Sequence, residues 1–193
     1  MLPNLSSIRK RACSADHGCV AVRVGGAGQL GAQGGDDDDR VGRACLPGGP
    51  VTENADGVVA TRQEGTVGHV LLNRPHAMNA ITVELGRKLE QALRALARTA
   101  SVVVVRGAGG NFSVGGDFKE LARLRAAGAD AVRPLFENFR RACDAIAELP
   151  VPVIAVVEGY AMAGGFELMQ ASDVALVRSD AVLADNHTNF AQI

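Results

Sequence analysis

The 193-residue chain has no tryptophan, one tyrosine and four cysteines. Charge is nearly balanced too: 20 Lys+Arg face 21 Asp+Glu, for a formal net charge of −1. Without a basic excess there is no broad cationic surface, which argues against nucleic acid as the main partner. No apolar run approaches the ~20 residues needed to span a bilayer, so no membrane partner is expected. The cysteines form no C-x-x-C pair. A zinc site from Cys13, Cys19 and Cys45 would need His17 as fourth ligand, a weak pattern, and no metal is expected. No apolar segment follows Arg9-Lys10-Arg11, and the run Asp36-Asp37-Asp38-Asp39 spoils an acid-poor amphipathic helix. Neither kind of targeting peptide is predicted.

What is present divides unevenly. Residues 1–50 hold ten of the 23 glycines, three cysteines and no aromatic residue, whereas all six phenylalanines and Tyr160 lie in residues 51–193. The first segment has too few large apolar side chains to offset the entropy of ordering it. Val20, Val22 and Val24 alternate but run into Gly25-Gly26, and no lysine follows Gly25-Gly26-Ala27-Gly28 to make a phosphate loop. Residues 1–50 are therefore read as a mostly disordered extension and 51–193 as the folded core. Val51-Thr52-Glu53-Asn54 reads as a natural start, so the extension is expected to be upstream sequence.

Within the core, apolar–polar alternation over 58–62 and 67–72 around Gly65-Thr66 predicts a β-hairpin that Pro75 ends. Thr82 is the expected N-cap of a helix carrying Val83, Leu85, Leu89, Leu93, Leu96 and Ala97. The run 102–105, four valines, predicts a strand buried on both faces. A glycine-rich loop over 106–116 precedes a helix at 117–127, and Pro134 suits the first turn of a longer helix reaching 149. A buried strand at 151–157, a loop at 159–165, a helix through Glu167, Leu168 and Met169, and a strand at 173–177 follow. No further helix or strand is predicted before Ile193. The order ββα, βαα, βα, β defines an α/β protein with successive crossover units.

Two strand–loop–helix junctions look alike. One runs through Gly107-Ala108-Gly109-Gly110-Asn111-Phe112-Ser113-Val114-Gly115-Gly116, the other through Gly159-Tyr160-Ala161-Met162-Ala163-Gly164-Gly165. Glycine lets a ligand approach peptide N–H groups, and a helix N-terminus adds unpaired donors with partial positive charge. Two such sites facing each other can hold a developing oxyanion. Alone, each loop is also compatible with a simple turn. Neither follows G-x-G-x-x-G with an acidic residue about 20 positions on, which disfavours dinucleotide binding.

Leu72-Asn73-Arg74-Pro75 with Met78-Asn79-Ala80-Ile81, then Phe112-Ser113-Val114-Gly115-Gly116-Asp117-Phe118-Lys119, then Gly159-Tyr160-Ala161-Met162-Ala163-Gly164-Gly165-Phe166-Glu167, occur in order. Together they resemble the signatures of the crotonase, or enoyl-CoA hydratase/isomerase, superfamily. The resemblance implies a spiral of ββα units, here incomplete at the C-terminus, that binds an acyl-CoA thioester without a metal or redox cofactor. It implies that the Gly116 and Gly164 N–H groups form the oxyanion hole. It also implies that Arg74, Ala77, Asn79, Ala80, Asp117, Phe118 and Lys119 line the acyl-CoA path, although Asp117 reads more readily as a helix N-cap. A cytoplasmic homotrimer or hexamer acting in fatty acid metabolism is the corresponding expectation for the full-length form.

By the same resemblance Glu167 is the catalytic acid/base, on the logic that a carboxylate in a dry cleft can move a proton. The family's second glutamate falls on His187, which titrates near neutrality but cannot supply a second negative charge. Asp185 is a substitute two residues earlier, and His187 equally reads as a polar pocket-lining residue. Hydration is therefore one of several open reactions, beside isomerisation, dehydration and hydrolysis. A non-catalytic fragment is the reading from a different class. His69 and His76 read as structural or exposed, and Cys143 as packed on an apolar helical face without a group to activate it.

Overall fold

The computed structural model describes residues 57–186 and, before them, the strands Lys10–Arg11 and Cys19–Arg23 as backbone. These two are β1 and β2; β2 contains Val20 and Val22 of the alternating valines. Two strands thus fall within residues 1–50. Cys13, His17, Cys45, the aspartate run and Val51-Thr52-Glu53-Asn54 lie outside the described residues, as does His187.

Alternating residues in β3 (Val59–Glu64) and β4 (Val67–Leu72) close the predicted hairpin, with Glu64 opposite Val67 across Gly65-Thr66. Strands β5 (Val102–Gly107), β6 (Val153–Val157) and β8 (Val174–Arg178) then add in parallel beside β4. β2 pairs antiparallel with β8, which gives a seven-stranded sheet in the order β1-β2-β8-β6-β5-β4-β3. The helices between the parallel strands are α1 (Val83–Leu96), α2 (Phe118–Ala127), α3 (Ala129–Glu148) and α4 (Gly164–Ala171).

A second, smaller layer turns this into a spiral. After each large-sheet strand the chain makes a short extended passage before its helix. Ile81 bridges Gly116, Ser113 bridges Ala161, and β7 (Tyr160–Met162) pairs in parallel with β9 (Val182–Ala184). Each turn therefore runs strand, extended segment, helix, which is the expected ββα unit. β7 and β9 correct the reading of 159–165 as a plain loop and of 178–193 as lacking a strand. Strands of three residues carry too little pattern to be seen in isolation.

The core lies between the large sheet and the helices. Val103, Val105, Val153, Ala155 and Val157 are fully buried with Leu85, Leu89 and Leu93 of α1, Ala142 and Ile146 of α3 and Leu168 of α4. Val102 and Val104 are only half-buried. The expectation of a strand buried on both faces is therefore corrected: among the described residues β5 alternates, because the side chains opposite the helices lack a packed layer. α3 begins at Ala129 rather than at Pro134, which sits inside the helix. The break is set by Gly128, at φ +113° between α2 and α3, and the proline forgoes one main-chain bond in the second turn.

Candidate active site

Both donor loops are built by main-chain geometry. The Ile81 N–H donates to the Gly115 carbonyl at 2.7 Å, and the Asp117 N–H donates to the Ile81 carbonyl at 2.9 Å. These two bonds straddle Gly116. A trans peptide sets its C=O and N–H in opposite directions, so the Gly116 N–H points away from Ile81. Gly115 stands at φ +86°, and a Cβ on it would fall 2.8 Å from the Ala163 Cβ and 3.1 Å from the Gly164 nitrogen. The first loop thus lies directly against the second.

Gly164 opens α4. The Ala163 carbonyl accepts from the Glu167 N–H at 2.9 Å, so the Gly164 N–H points out of the helix's N-terminal end. Ala163, the N-cap, holds φ +47° and ψ −120° and offers no side-chain cap. Its N–H is tied to the Ala184 carbonyl of β9 at 2.9 Å. Among the described residues neither the Gly116 nor the Gly164 N–H has an acceptor. Two unspent donors from adjacent loops, one at a helix N-terminus, are suited to a negatively charged oxygen.

Glu167 sits half-buried in the first turn of α4. Across from it α3 supplies the wall: Phe139 lies near Gly164, and Cys143 is close enough for Glu167 to act on its thiol. Burial, with Glu167 and Asp144 adding to it, pushes the Cys143 thiol up to about 12. It is therefore protonated at neutral pH and packs as the sequence suggests. His69 is half-buried in β4, where burial and then Arg62 lower its pKa, and His76 is exposed in a 3-10 turn at Pro75–Ala77.

The residues expected along the acyl-CoA path divide into two groups. Arg74 and Asp117 are paired at 2.8 Å (Nη2 to Oδ2), and Arg74 Nη1 donates to the Ala80 carbonyl at 2.5 Å. The other Asp117 oxygen caps α2 by accepting from the Lys119 and Glu120 N–H groups at 3.0 and 3.1 Å. Burial works to raise the Asp117 pKa, but the Glu120 N–H, the Arg74 guanidinium and the Lys119 N–H hold it below the ordinary carboxylate value. Asn79 is fully buried at φ +55°; its Oδ1 accepts from the Arg74 N–H and its Nδ2 donates to the Ala108 and Asn111 carbonyls. Arg74, Asn79 and Asp117 thus hold the loops together. Ala80 is buried and Ala77 half-buried, while Gly116, Phe118 and Lys119 are exposed at the entrance. A shallow cleft there is lined by Arg74, Thr82, Asp117, Lys119, Glu120 and Arg123.

β9 carries Asp185 to the position after Ala184, whose carbonyl holds the Ala163 N–H, so this exposed carboxylate stands beside the start of α4. His187 is not among the described residues. Three contributors escaped sequence reasoning. Ile81 clamps Gly116 with its main chain and touches Gly164 with its side chain; Ser113 is buried between the loops; Cys143 walls Glu167. Only the i, i+4 spacing of Phe139 and Cys143 on one helical face signalled any of them.

The fold and site together define a ββα-spiral protein with main-chain donors on two adjoining loops and a glutamate in the first turn of the helix that one of them opens. A family model described as enoyl-CoA hydratase/isomerase matches residues 62–193, and the chain belongs to that family. It is 32% identical over 131 residues to enoyl-CoA hydratase domain-containing protein 3, mitochondrial, of Danio rerio, covering 67% of this chain and 45% of that protein. It is 32% identical over 120 residues to the mitochondrial 3-hydroxyisobutyryl-CoA hydrolase of Rattus norvegicus, covering 61% of this chain and 31% of the relative. Among solved structures, an enoyl-CoA hydratase/carnithine racemase from Magnetospirillum magneticum superposes with a TM-score of 0.66 at 31% identity, over 72% of this chain and 53% of that one. The chain spans about half or less of these relatives' lengths.

Proposed function

We propose that the site binds an acyl-CoA thioester and stabilises its enolate, in the service of a hydration (lyase) reaction. The observation that carries this is the pair of N–H groups at Gly116 and Gly164, neither with an acceptor among the described residues, with Glu167 in the same helical turn as Gly164. In the proposed step the Glu167 carboxylate takes a proton from the carbon next to the thioester carbonyl. The C–H electron pair becomes a C=C bond, and the carbonyl π electrons move onto oxygen, where the two N–H groups receive the charge. Run in reverse after water has added to an enoyl thioester, the same groups complete hydration. Isomerisation and thioester hydrolysis draw on the same oxyanion site, and the hydrolase relative favours the latter as a second reading. Asp185 or His187 is the second group that would position water.

Lys119 and Arg123 at the cleft mouth suit the phosphates of coenzyme A, with Phe118 beside them. No metal or redox cofactor takes part in the proposed step. Assembly as a homotrimer or hexamer and a cytoplasmic location complete the proposal.

Turnover of crotonyl-CoA by the full chain tests it. A Cβ at Gly116 meets nothing within 4 Å, and Gly116→Pro removes the N–H donor. It is expected to lower kcat by about 10²–10³, and Glu167→Gln by about 10²–10⁴. Survival of turnover in both variants would refute the assignment.

A further inference from the structure

Ser113 is fully buried where the two donor loops cross. Its hydroxyl donates to the Asn79 carbonyl at 2.9 Å and accepts from the Gly115 N–H at 3.3 Å. Its main chain serves the other loop: the Ser113 N–H donates to the Tyr160 carbonyl at 3.0 Å, and its carbonyl accepts from the Met162 N–H at 2.9 Å. Gly165 presses on the same carbonyl, where a Cβ would fall 2.1 Å from the oxygen. One side chain therefore links the left-handed Asn79 to Gly115, and one main chain links both to the start of α4.

We infer that Ser113 is a positioning residue for the oxyanion hole: its hydroxyl holds the Val114–Gly115 peptide and, through the left-handed turn at Gly115, sets the aim of the Gly116 N–H at a thioester oxygen. This rests on the thioester reading above. The hydroxyl touches no substrate. It acts by fixing Gly115, a residue whose φ of +86° is open to several backbone states, against a carbonyl already held by the fold. A buried hydroxyl that is both donor and acceptor is held on both sides, so the loop it anchors has little freedom to drift. Small errors of aim matter because the donors work only when they meet the charge as it forms.

The test reads polarisation of a bound carbonyl directly. 4-Dimethylaminocinnamoyl-CoA absorbs at longer wavelength when donors polarise its thioester oxygen, so titration of the full chain yields both a Kd and a red shift. Ser113→Ala is expected to cut the red shift by about half or more while changing Kd by less than about threefold. Ser113→Cys keeps the volume with a weaker donor and acceptor, and should also lose part of the shift. Ser172→Ala is the control: that buried hydroxyl donates to the Leu168 carbonyl at the far end of α4. It should lower thermal stability and leave the red shift intact. A wild-type shift retained in full by either Ser113 variant overturns the Ser113 proposal alone. A wild-type chain that shows no red shift overturns the thioester reading and the Ser113 proposal with it.

Discussion

Two helices of the spiral start in opposite ways. α2 begins at Asp117, whose carboxylate accepts two N–H groups of the first turn and also holds Arg74. α4 begins at Ala163, which has no capping side chain and sits at a positive φ. α1 follows the α2 pattern, with the Thr82 hydroxyl accepting from the Leu85 N–H at 3.0 Å. At α1 and α2 a side chain takes up first-turn N–H donors; at α4 no side chain does, and the backbone before it is bent to a positive φ. The cost of an uncapped, strained start is met by the tight packing around it.

The largest expected effect breaks that packing. Gly165→Ala places a methyl group into the Ser113 carbonyl and should destabilise the chain by about 3 kcal/mol or more, read by urea denaturation. A cost below about 1 kcal/mol would show that the two loops can separate freely.

A middle-sized effect lies at the capped start. Asp117→Ala should cost about 2 kcal/mol at neutral pH, since it removes the cap and leaves Arg74 without its partner. The Asp117 pKa is lowered on folding, so its contribution is complete above the unfolded value of 3.8 and fades as pH falls through the lower folded value. The gap between wild type and variant should therefore shrink on acidification below about pH 4. A constant gap would mean that charge plays no part in the cap.

The smallest effect sharpens the contrast. Ala163→Gly should raise stability by about 0.5 kcal/mol, because glycine adopts φ +47° without a Cβ penalty. A fall in melting temperature would show that the alanine is not strained there.

The capped starts were legible because capping is local: Thr82 and Asp117 stand beside the apolar periodicity they introduce. The hairpin was legible for the same reason. Ala163 was not, since an alanine carries no sign of a positive φ; the constraint comes from β9, about twenty residues further on. The onset of α3 is hidden from the sequence because Pro134 suits a first turn, while Gly128 sets the break. Ser113 looked like one more small polar residue in a loop, and its importance lies in partners 34 residues back and 47 ahead: Asn79 and Tyr160. The family resemblance named Gly116, Gly164 and Glu167 as candidates; the bonds that hold Gly115 and Ala163 on either side came only from the spatial arrangement.

The clamp of Ile81 on Gly116 has a consequence for mutation. Because peptide planes do the aiming, the charge-receiving device is indifferent to most side-chain changes in the cleft. On the proposed reading, exchanging Phe139 and Cys143 would admit acyl groups of different shape without redirecting either N–H. On that reading substrate preference and oxyanion stabilisation would be inherited separately, and one could drift while the other stays still.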